Sequence, residues 1–208
     1  MSDGRRIAAI IPVAAIEEAK TRLGESLDAE ERRDLVERLL DRTLDAVLGV
    51  DQFVDILVVS PDREVLGLAA RAGARTLRQR TIGLNAGVAE ARDDAIAGGA
   101  EVIVVLPIDL PFVTAKAIGD VLAALGGSDA AVVLTTDRHG TGTNALALRP
   151  PDVIHFAFGP GSRAAHRAAA ERAGAVYREV DGPLTVDLDT PDDLIFVESL
   201  QAEHLDVG

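Results

Sequence analysis

The chain is predicted to fold as an α/β sandwich, in which a mostly parallel sheet carries helices on both faces. Short runs that are almost wholly apolar alternate with longer segments of helical spacing. Continuous apolar runs are typical of parallel strands that are buried on both faces. With 48% apolar residues in 208, the chain can bury a core of its own. We therefore expect one domain over residues 1–208.

The elements follow one another in a regular order. Strands are predicted over 7–13, 53–59, 75–77, 101–106, 130–135, 144–148 and 175–180. Helices are predicted over 28–50, 84–97, 114–125, 162–173 and 190–202, with one more beginning at Ser60-Pro61-Asp62 and capped by the Ser60 hydroxyl. The later strand-rich part is expected to form a lobe inserted over the same sheet edge.

Composition excludes several kinds of function. A formal net charge of −13 argues against a surface for nucleic acid or an anionic membrane, which would need a basic patch. The absence of cysteine excludes disulfides and a thiolate nucleophile. The apolar opening is too short for a membrane span, and it does not have the form of a signal peptide. We expect a cytoplasmic protein.

Acidic residues in two separate segments predict a metal site. In VDLDTPDDL (186–194), Asp187 and Asp189 stand two apart, so an extended backbone sends both carboxylates to one face. Their repulsion would be relieved by a divalent cation. Asp109 ends a strongly apolar run in LPIDLP (106–111), where it is either a ligand of Mg²⁺ or a turn residue between prolines.

Two loops at the expected carboxyl ends of the strands could bind anions. The first loop, 11–23, carries Lys20 and Arg22 but neither a dinucleotide fingerprint nor a P-loop motif, so it is a phosphate-binding loop or a solvated basic turn. The segment 137–146 offers the Thr143 hydroxyl to a ligand, although glycine and threonine also suit a plain hairpin.

The segment FGPGSRAAH (158–166) and Asn85 are further candidates. Ser162 is expected to cap a helix whose first N–H groups could receive an anion, or to be a plain cap. His166 lies on the same helix face and is expected to support the site without acting as an acid or base. Asn85, in GLNAGV, could contact a base edge or cap its own helix.

Taken together, these segments resemble the phosphoenolpyruvate and 2-phospho-L-lactate guanylyltransferases of coenzyme F-420 biosynthesis. The resemblance runs through AKTRL, GLNAGV, LPIDLP, GTGTNAL, FGPGSRAAH and VDLDTPDDL, in this order. It implies a Rossmann-like three-layer sandwich of the nucleotide-diphospho-sugar transferase type. It also implies transfer of GMP from GTP to a small phosphorylated acid, with release of pyrophosphate and Mg²⁺ as cofactor.

The resemblance further implies roles for individual residues. Asp109, Asp187 and Asp189 would bind Mg²⁺ and act in catalysis. Thr143, Gly159 and Ser162 would bind the acceptor, and Lys20, Arg22 and Asn85 would bind GTP. One position departs from the family pattern. Family members carry a Val-Lys pair where this chain has Val13-Ala14, so one cation expected to face the triphosphate is absent there.

Several alternatives stay open. The acceptor could be phosphoenolpyruvate or 2-phospho-L-lactate, and a nucleotidyltransferase for 3-phosphoglycerate, a sugar phosphate or a pterin cofactor would share the fold. A nucleotide-binding homologue without turnover is the alternative of another class. Candidate partners are a second copy of the chain, as a homodimer, and a downstream transferase of the same pathway.

Overall fold

A computed structural model describes residues 4–16 and 28–188, together with Asp193 and Ile195. Its strands are β1 (Ile7–Pro12), β2 (Phe53–Ser60), β3 (Arg75–Arg78), β4 (Val102–Val105), β5 (Ala131–Thr135), β6 (Ala145–Arg149) and β7 (Val176–Glu179). They form one seven-stranded sheet in the order β3-β2-β1-β4-β6-β5-β7. Every pair is parallel except those of β6, which runs antiparallel to β4 and to β5. The predicted α/β class with a mostly parallel sheet is confirmed.

The helices of the described residues are α1 (Ala29–Leu48), α2 (Arg63–Arg71), α3 (Leu84–Ala97), α4 (Ala115–Ala124) and α5 (Ser162–Arg172). The cap predicted for α2 is wrong. Asp62 is the N-cap and accepts the Glu64 N–H, while the Ser60 hydroxyl accepts the N–H of Asp62. The Asp62 carboxylate also accepts the N–H of Ile16, so it joins the start of α2 to the first loop. The predicted last helix, 190–202, lies outside the described residues except for Asp193 and Ile195.

The sheet separates two apolar clusters, one on each face. Alternate residues of β1 supply both of them, because successive side chains of a strand point to opposite faces: Ala9 and Ile11 enter one cluster, and Ala8 and Ile10 enter the other. The first cluster takes in α1, α2 and α4, and the second takes in α3 and α5. This double burial explains why the strands are apolar throughout.

The expectation of an inserted lobe is wrong, because β5, β6 and β7 extend the same sheet. All five residues of β6 are buried, and the strand lies between β4 and β5 with Leu146 paired to Val105 and to Leu134. A strand buried on both faces is stable only inside the layered core, not in a lobe above its edge.

One edge of the sheet gathers the loops of interest. The carboxyl ends of β1, β2, β4, β5 and β7 lie there together with the amino end of β6. After β7 the chain returns along this edge, and the Asn144 side chain holds it by donating to the carbonyl of Leu184 at 3.0 Å. The described helices include none that is both long and apolar enough to cross a membrane.

Candidate active site

The two acidic segments meet at the carboxyl edge of the sheet. Asp109 follows β4, and Asp187 lies on the returning chain. The N–H of Leu188 donates to the carbonyl oxygen of Asp109 at 2.9 Å, while the Leu188 side chain is buried in the core. Both aspartates are only partly buried. The segments that carry Asp109 and Asp187 are therefore in backbone contact, and the convergence of their carboxylates on one cation stays a prediction.

The carboxylates of Asp109 and Asp187, the two predicted ligands that the structure describes, are the kind of ligand that a hard divalent cation takes. Carboxylate oxygens are the ligands that Mg²⁺ takes from proteins, and the backbone contact of Leu188 joins the two segments that carry Asp109 and Asp187. Asp189, the third predicted ligand, lies outside the described residues. Within residues 4–16 and 28–188, no three acidic or histidine side chains form a group that could hold a metal. The three-carboxylate site stays a prediction.

The loop that carries Thr143 is held against the start of α5. The Arg163 N–H donates to the carbonyl of Thr141 at 3.2 Å, and the Arg163 guanidinium donates to the carbonyl of Gly140 at 3.0 Å. Within the loop, the Asp137 carboxylate accepts the Thr141 N–H at 2.7 Å. Burial opposes ionisation of Asp137, but hydrogen bonds from Gly142 and Thr141 outweigh it and lower its pKa. These contacts fix the shape of the loop beside the start of α5.

Thr143 contacts a buried histidine. Its hydroxyl lies 3.1 Å from Nδ1 of His166, which is fully buried in α5. The other ring nitrogen, Nε2, accepts the N–H of Ala157 at 2.9 Å. Burial lowers the pKa of His166 to about 4, so its ring is neutral near pH 7. The sequence alone predicted a supporting role for this residue but not its partners.

The glycine-rich turn before α5 takes a shape that only glycine adopts readily. Gly159 and Gly161 have φ of 125° and 74°. The prediction that Ser162 caps the helix is wrong, because Gly161 is the N-cap and no side chain caps α5. Ser162 is its first residue, almost fully buried, and its N–H donates to the carbonyl of Gly159 at 3.1 Å. The turn therefore brings Gly159 and Ser162 together, and their role in binding the acceptor stays a prediction.

Asn85 connects α3 to the same turn. Its amide nitrogen donates to the Phe158 carbonyl at 3.0 Å, and its amide oxygen accepts the Phe158 N–H at 2.8 Å. It does not cap α3, whose N-cap is Gly83 without a side-chain hydrogen bond. Its assignment to the guanine of GTP stays a prediction. The contact it makes in this structure fixes the segment before Gly159.

A cavity of about 250 Å³ opens beside these segments, at the ends of β1, β2 and β3. Its walls are residues 12–14, Pro61 and 79–84, so Ala14 lines it. The loop that follows β3 is braced from within. Gln79 donates to the carbonyl of Gly83 at 3.0 Å, and the Glu90 carboxylate accepts the N–H groups of Arg80 and Thr81. Lys20 and Arg22 lie outside the described residues.

A larger cavity, of about 570 Å³, lies at the opposite edge, where Ile7 begins β1 and Val102 begins β4. None of the predicted site residues lines it. We assign the site to the carboxyl edge because open α/β sheets bind their ligands beyond the carboxyl ends of the strands.

Solved structures with the same fold define the class. The chain superposes on a putative nucleotide-diphospho-sugar transferase from Desulfovibrio desulfuricans G20 with a TM-score of 0.69, 18% identity and coverage of 93% of this chain and 86% of that one. It superposes on 4-diphosphocytidyl-2C-methyl-D-erythritol synthase from Anaerococcus prevotii with a TM-score of 0.67, 15% identity and coverage of 96% and 97%. The fold is thus that of the nucleotide-diphospho-sugar transferases and nucleotidyltransferases.

Sequence relatives narrow this class to a family. A family model described as "Guanylyl transferase CofC like" matches residues 7–199. The chain is 46% identical to a phosphoenolpyruvate guanylyltransferase of Sphaerobacter thermophilus, over 96% of this chain and 94% of the relative. It is 32% identical to a 2-phospho-L-lactate guanylyltransferase of Methanocaldococcus jannaschii, over 93% and 83%. The chain belongs to the CofC-like guanylyl transferase family, which confirms the resemblance found in its sequence.

Proposed function

We propose that the protein transfers GMP from GTP to phosphoenolpyruvate and releases pyrophosphate, as a step of coenzyme F-420 biosynthesis. The single observation that carries the proposal is the hydrogen bond between Leu188 and Asp109, because it joins two carboxylate segments at the sheet edge that also holds the acceptor loops. Phosphoenolpyruvate is preferred as acceptor because the Sphaerobacter relative named for it is more similar than the Methanocaldococcus relative. 2-Phospho-L-lactate is the alternative.

The chemical obstacle to this reaction is electrostatic. The phosphate of the acceptor is already a nucleophile and needs no general base, but it must approach the α-phosphorus of another anion. Asp109, Asp187 and Asp189 would hold Mg²⁺. When bound, the ion would neutralise charge between the two phosphates. The buried, neutral His166 fits a reaction in which no side chain removes a proton.

The loop of Thr143 and the turn of Gly159 and Ser162 would orient the phosphorylated acid. Thr143 and Ser162 would bind the phosphorylated acid together with backbone N–H groups of the turn at Gly159. Hydrogen-bond donors fixed in advance are effective against developing negative charge, because they need no reorganisation during the reaction. The contacts of Asp137, Arg163 and Asn85 support this. Asp137 braces the loop of Thr143 from within, Arg163 joins that loop to α5, and Asn85 joins α3 to the segment before Gly159.

The nucleotide would occupy the cavity at the ends of β1, β2 and β3, with its triphosphate toward Asp109. Ala14 lies on the wall of this cavity, where the family pattern has lysine. Lys20, Arg22 and Asn85 remain the predicted contacts of GTP. A homodimer and a downstream transferase remain the predicted partners.

Replacing Gly87 by alanine should weaken GTP binding without weakening the fold. The new methyl group would lie 2.5 Å from Oε1 of Gln79, so this side chain must leave the loop that it braces. Losing its hydrogen bonds to the carbonyls of Thr81 and Gly83 should raise KM for GTP about 10-fold. Alanine is also the better helix former by roughly 1 kcal/mol, so the melting temperature should not fall.

Gly119→Ala is the matched control for this variant. It makes the same change inside α4, where the new methyl group would meet no heavy atom within 4 Å. Steady-state kinetics should show an unchanged KM for GTP in this control. An unchanged KM for GTP in Gly87→Ala would contradict the placement of the nucleotide in this cavity.

The proposed function is tested by identifying the product. Purified protein is incubated with Mg²⁺, one nucleoside triphosphate and one acceptor: phosphoenolpyruvate, 2-phospho-L-lactate, 3-phosphoglycerate or a sugar phosphate. We expect pyrophosphate release, and a mass equal to the acceptor joined to GMP, with GTP and phosphoenolpyruvate. Preference for another nucleotide or a sugar phosphate would refute the proposal. GTP binding without any pyrophosphate release would favour a homologue without turnover.

A further inference from the structure

His166 is engaged on both sides of its ring by segments that the proposed function assigns to the acceptor. Nε2 lies 2.9 Å from the backbone nitrogen of Ala157, and Nδ1 lies 3.1 Å from the hydroxyl oxygen of Thr143. The ring is fully buried. A histidine in this position links the loop of Thr143 to the segment that leads into Gly159.

The contact with Ala157 determines which ring nitrogen carries the hydrogen. A backbone N–H can only donate, so Nε2 must be the unprotonated nitrogen that accepts. A neutral imidazole has one hydrogen, which must then reside on Nδ1. Nδ1 therefore donates to the oxygen of Thr143.

This direction constrains the Thr143 hydroxyl. Because its oxygen accepts from His166, its own hydrogen points away from the ring. Thr143 is partly exposed at the sheet edge, and in the described part of the chain its hydroxyl has no second partner. The hydrogen is thus available to an oxygen of an anionic ligand.

Neighbouring groups hold the ring in place. Phe158 meets the His166 ring edge-on, with centroids 5.2 Å apart at an interplanar angle of 73°. Asn85 forms hydrogen bonds with both backbone polar groups of Phe158, and the Phe156 ring stacks on the Phe158 ring with centroids 6.0 Å apart. The imidazole can therefore neither flip nor shift without breaking several contacts.

We propose that His166 is a positioning residue for the acceptor: it orients the Thr143 hydroxyl as a hydrogen-bond donor to an oxygen of the phosphorylated acid. This rests on the proposed function, which assigns Thr143 to the acceptor. His166 itself touches neither substrate, and it acts through Thr143 and through the N–H of Ala157.

Two variants separate the two contacts of the ring. In His166→Asn, the side-chain amide lies near the place of Nδ1 and can still donate to Thr143. In His166→Gln, the amide reaches the place of Nε2 and can accept from Ala157 but not donate to Thr143. We expect His166→Gln to raise KM for the acceptor about 10-fold with KM for GTP unchanged, because a bond to a charged group is lost. His166→Asn should keep most of the acceptor affinity.

A double-mutant cycle tests whether the effect passes through Thr143. Thr143→Val should raise the acceptor KM as much as His166→Gln does, and the double variant should be no worse than either. The exposed His155 provides the matched control, and His155→Gln should behave as wild type. Multiplicative effects in the double variant, or an unchanged acceptor KM in His166→Gln, would overturn the proposal. So would an equal rise in KM for both substrates.

The wild-type protein gives a test that needs no variant to fold. Nitrogen-15 NMR of labelled histidine should show His166 neutral near pH 7, with the hydrogen on Nδ1 and Nε2 unprotonated. The opposite tautomer or a charged ring would overturn the proposal. The kinetic cycle is measured with whichever acid is turned over. If neither phosphoenolpyruvate nor 2-phospho-L-lactate is a substrate, the proposed function fails, while the tautomer of His166 still tests the direction of its hydrogen bond with Thr143.

Discussion

Asp187→Asn and Asp109→Asn should each lower kcat for guanylyl transfer by at least about 100-fold while the protein stays folded. Each change removes one negative charge from the place where the cation must be held between two anionic substrates, and electrostatic groups at such sites contribute effects of this size. The fold should survive, because the hydrogen bond from Leu188 goes to the backbone oxygen of Asp109 and not to its side chain. Pyrophosphate release at saturating substrates and Mg²⁺ measures the effect.

The matched control is Asp152→Asn. Asp152 is exposed in the turn that follows β6, at the amino end of the neighbouring parallel strands and away from the candidate site. This variant should retain wild-type turnover, and far-UV circular dichroism should be the same for all three variants. Wild-type turnover by Asp187→Asn at saturating Mg²⁺ would remove this residue from the metal site.

Acidification from about pH 6.5 to about pH 4 should destabilise the protein through His166. Burial lowers the pKa of this ring from 6.5 in the unfolded chain to about 4 in the fold, so the unfolded chain binds the proton more tightly. The contribution of His166 to the free energy of unfolding is complete above pH 6.5 and is lost as the pH falls toward 4. The shift corresponds to roughly 3 kcal/mol, or a fall of roughly 10 °C in melting temperature.

His166→Gln isolates this contribution, because glutamine does not titrate. Hydrogen bonds also lower the pKa values of Glu90 and Glu179, chiefly from Thr81 and from Arg163 respectively. The stabilisation that these two carboxylates give the fold is lost on further acidification in both the wild type and the variant. Their effects on the melting temperature therefore cancel in the comparison. The melting temperatures of the wild type and of His166→Gln, measured between pH 8 and pH 4, should converge as the pH falls. Curves that stay parallel over this range would show that His166 does not titrate as described.

The fold could be predicted well from the sequence because its signal is local. Continuous apolar runs such as 102–105 and 131–135 indicated strands buried on both faces, and the structure has them in the two apolar clusters. The direction of β6 could not be predicted in this way. Ala145–Arg149 carries the same apolar pattern whether its neighbours run parallel or antiparallel to it, so the pattern does not distinguish a central strand from part of an inserted lobe.

The candidate site could be predicted in part for a related reason. Asp109 follows a buried strand, and such strand ends share one edge of a parallel sheet, so its place near Asp187 could be anticipated. The contacts that shape the segments predicted to bind the acceptor join residues far apart in sequence. Asn85 and Phe158 are 73 positions apart, and Thr143 and His166 are 23 apart. No local pattern encodes such pairs, because they depend on how the helices pack against the sheet.

The central claim is that the acidic segments hold one cation at which GTP and the acceptor meet. A crystal structure of the protein with Mg²⁺, a non-hydrolysable GTP analogue and phosphoenolpyruvate tests it most directly. We predict an ion bound by Asp109, Asp187 and Asp189 beside the α-phosphate, with the acid held at Thr143 and Ser162. An α-phosphate and its ion bound away from all three aspartates would contradict the account.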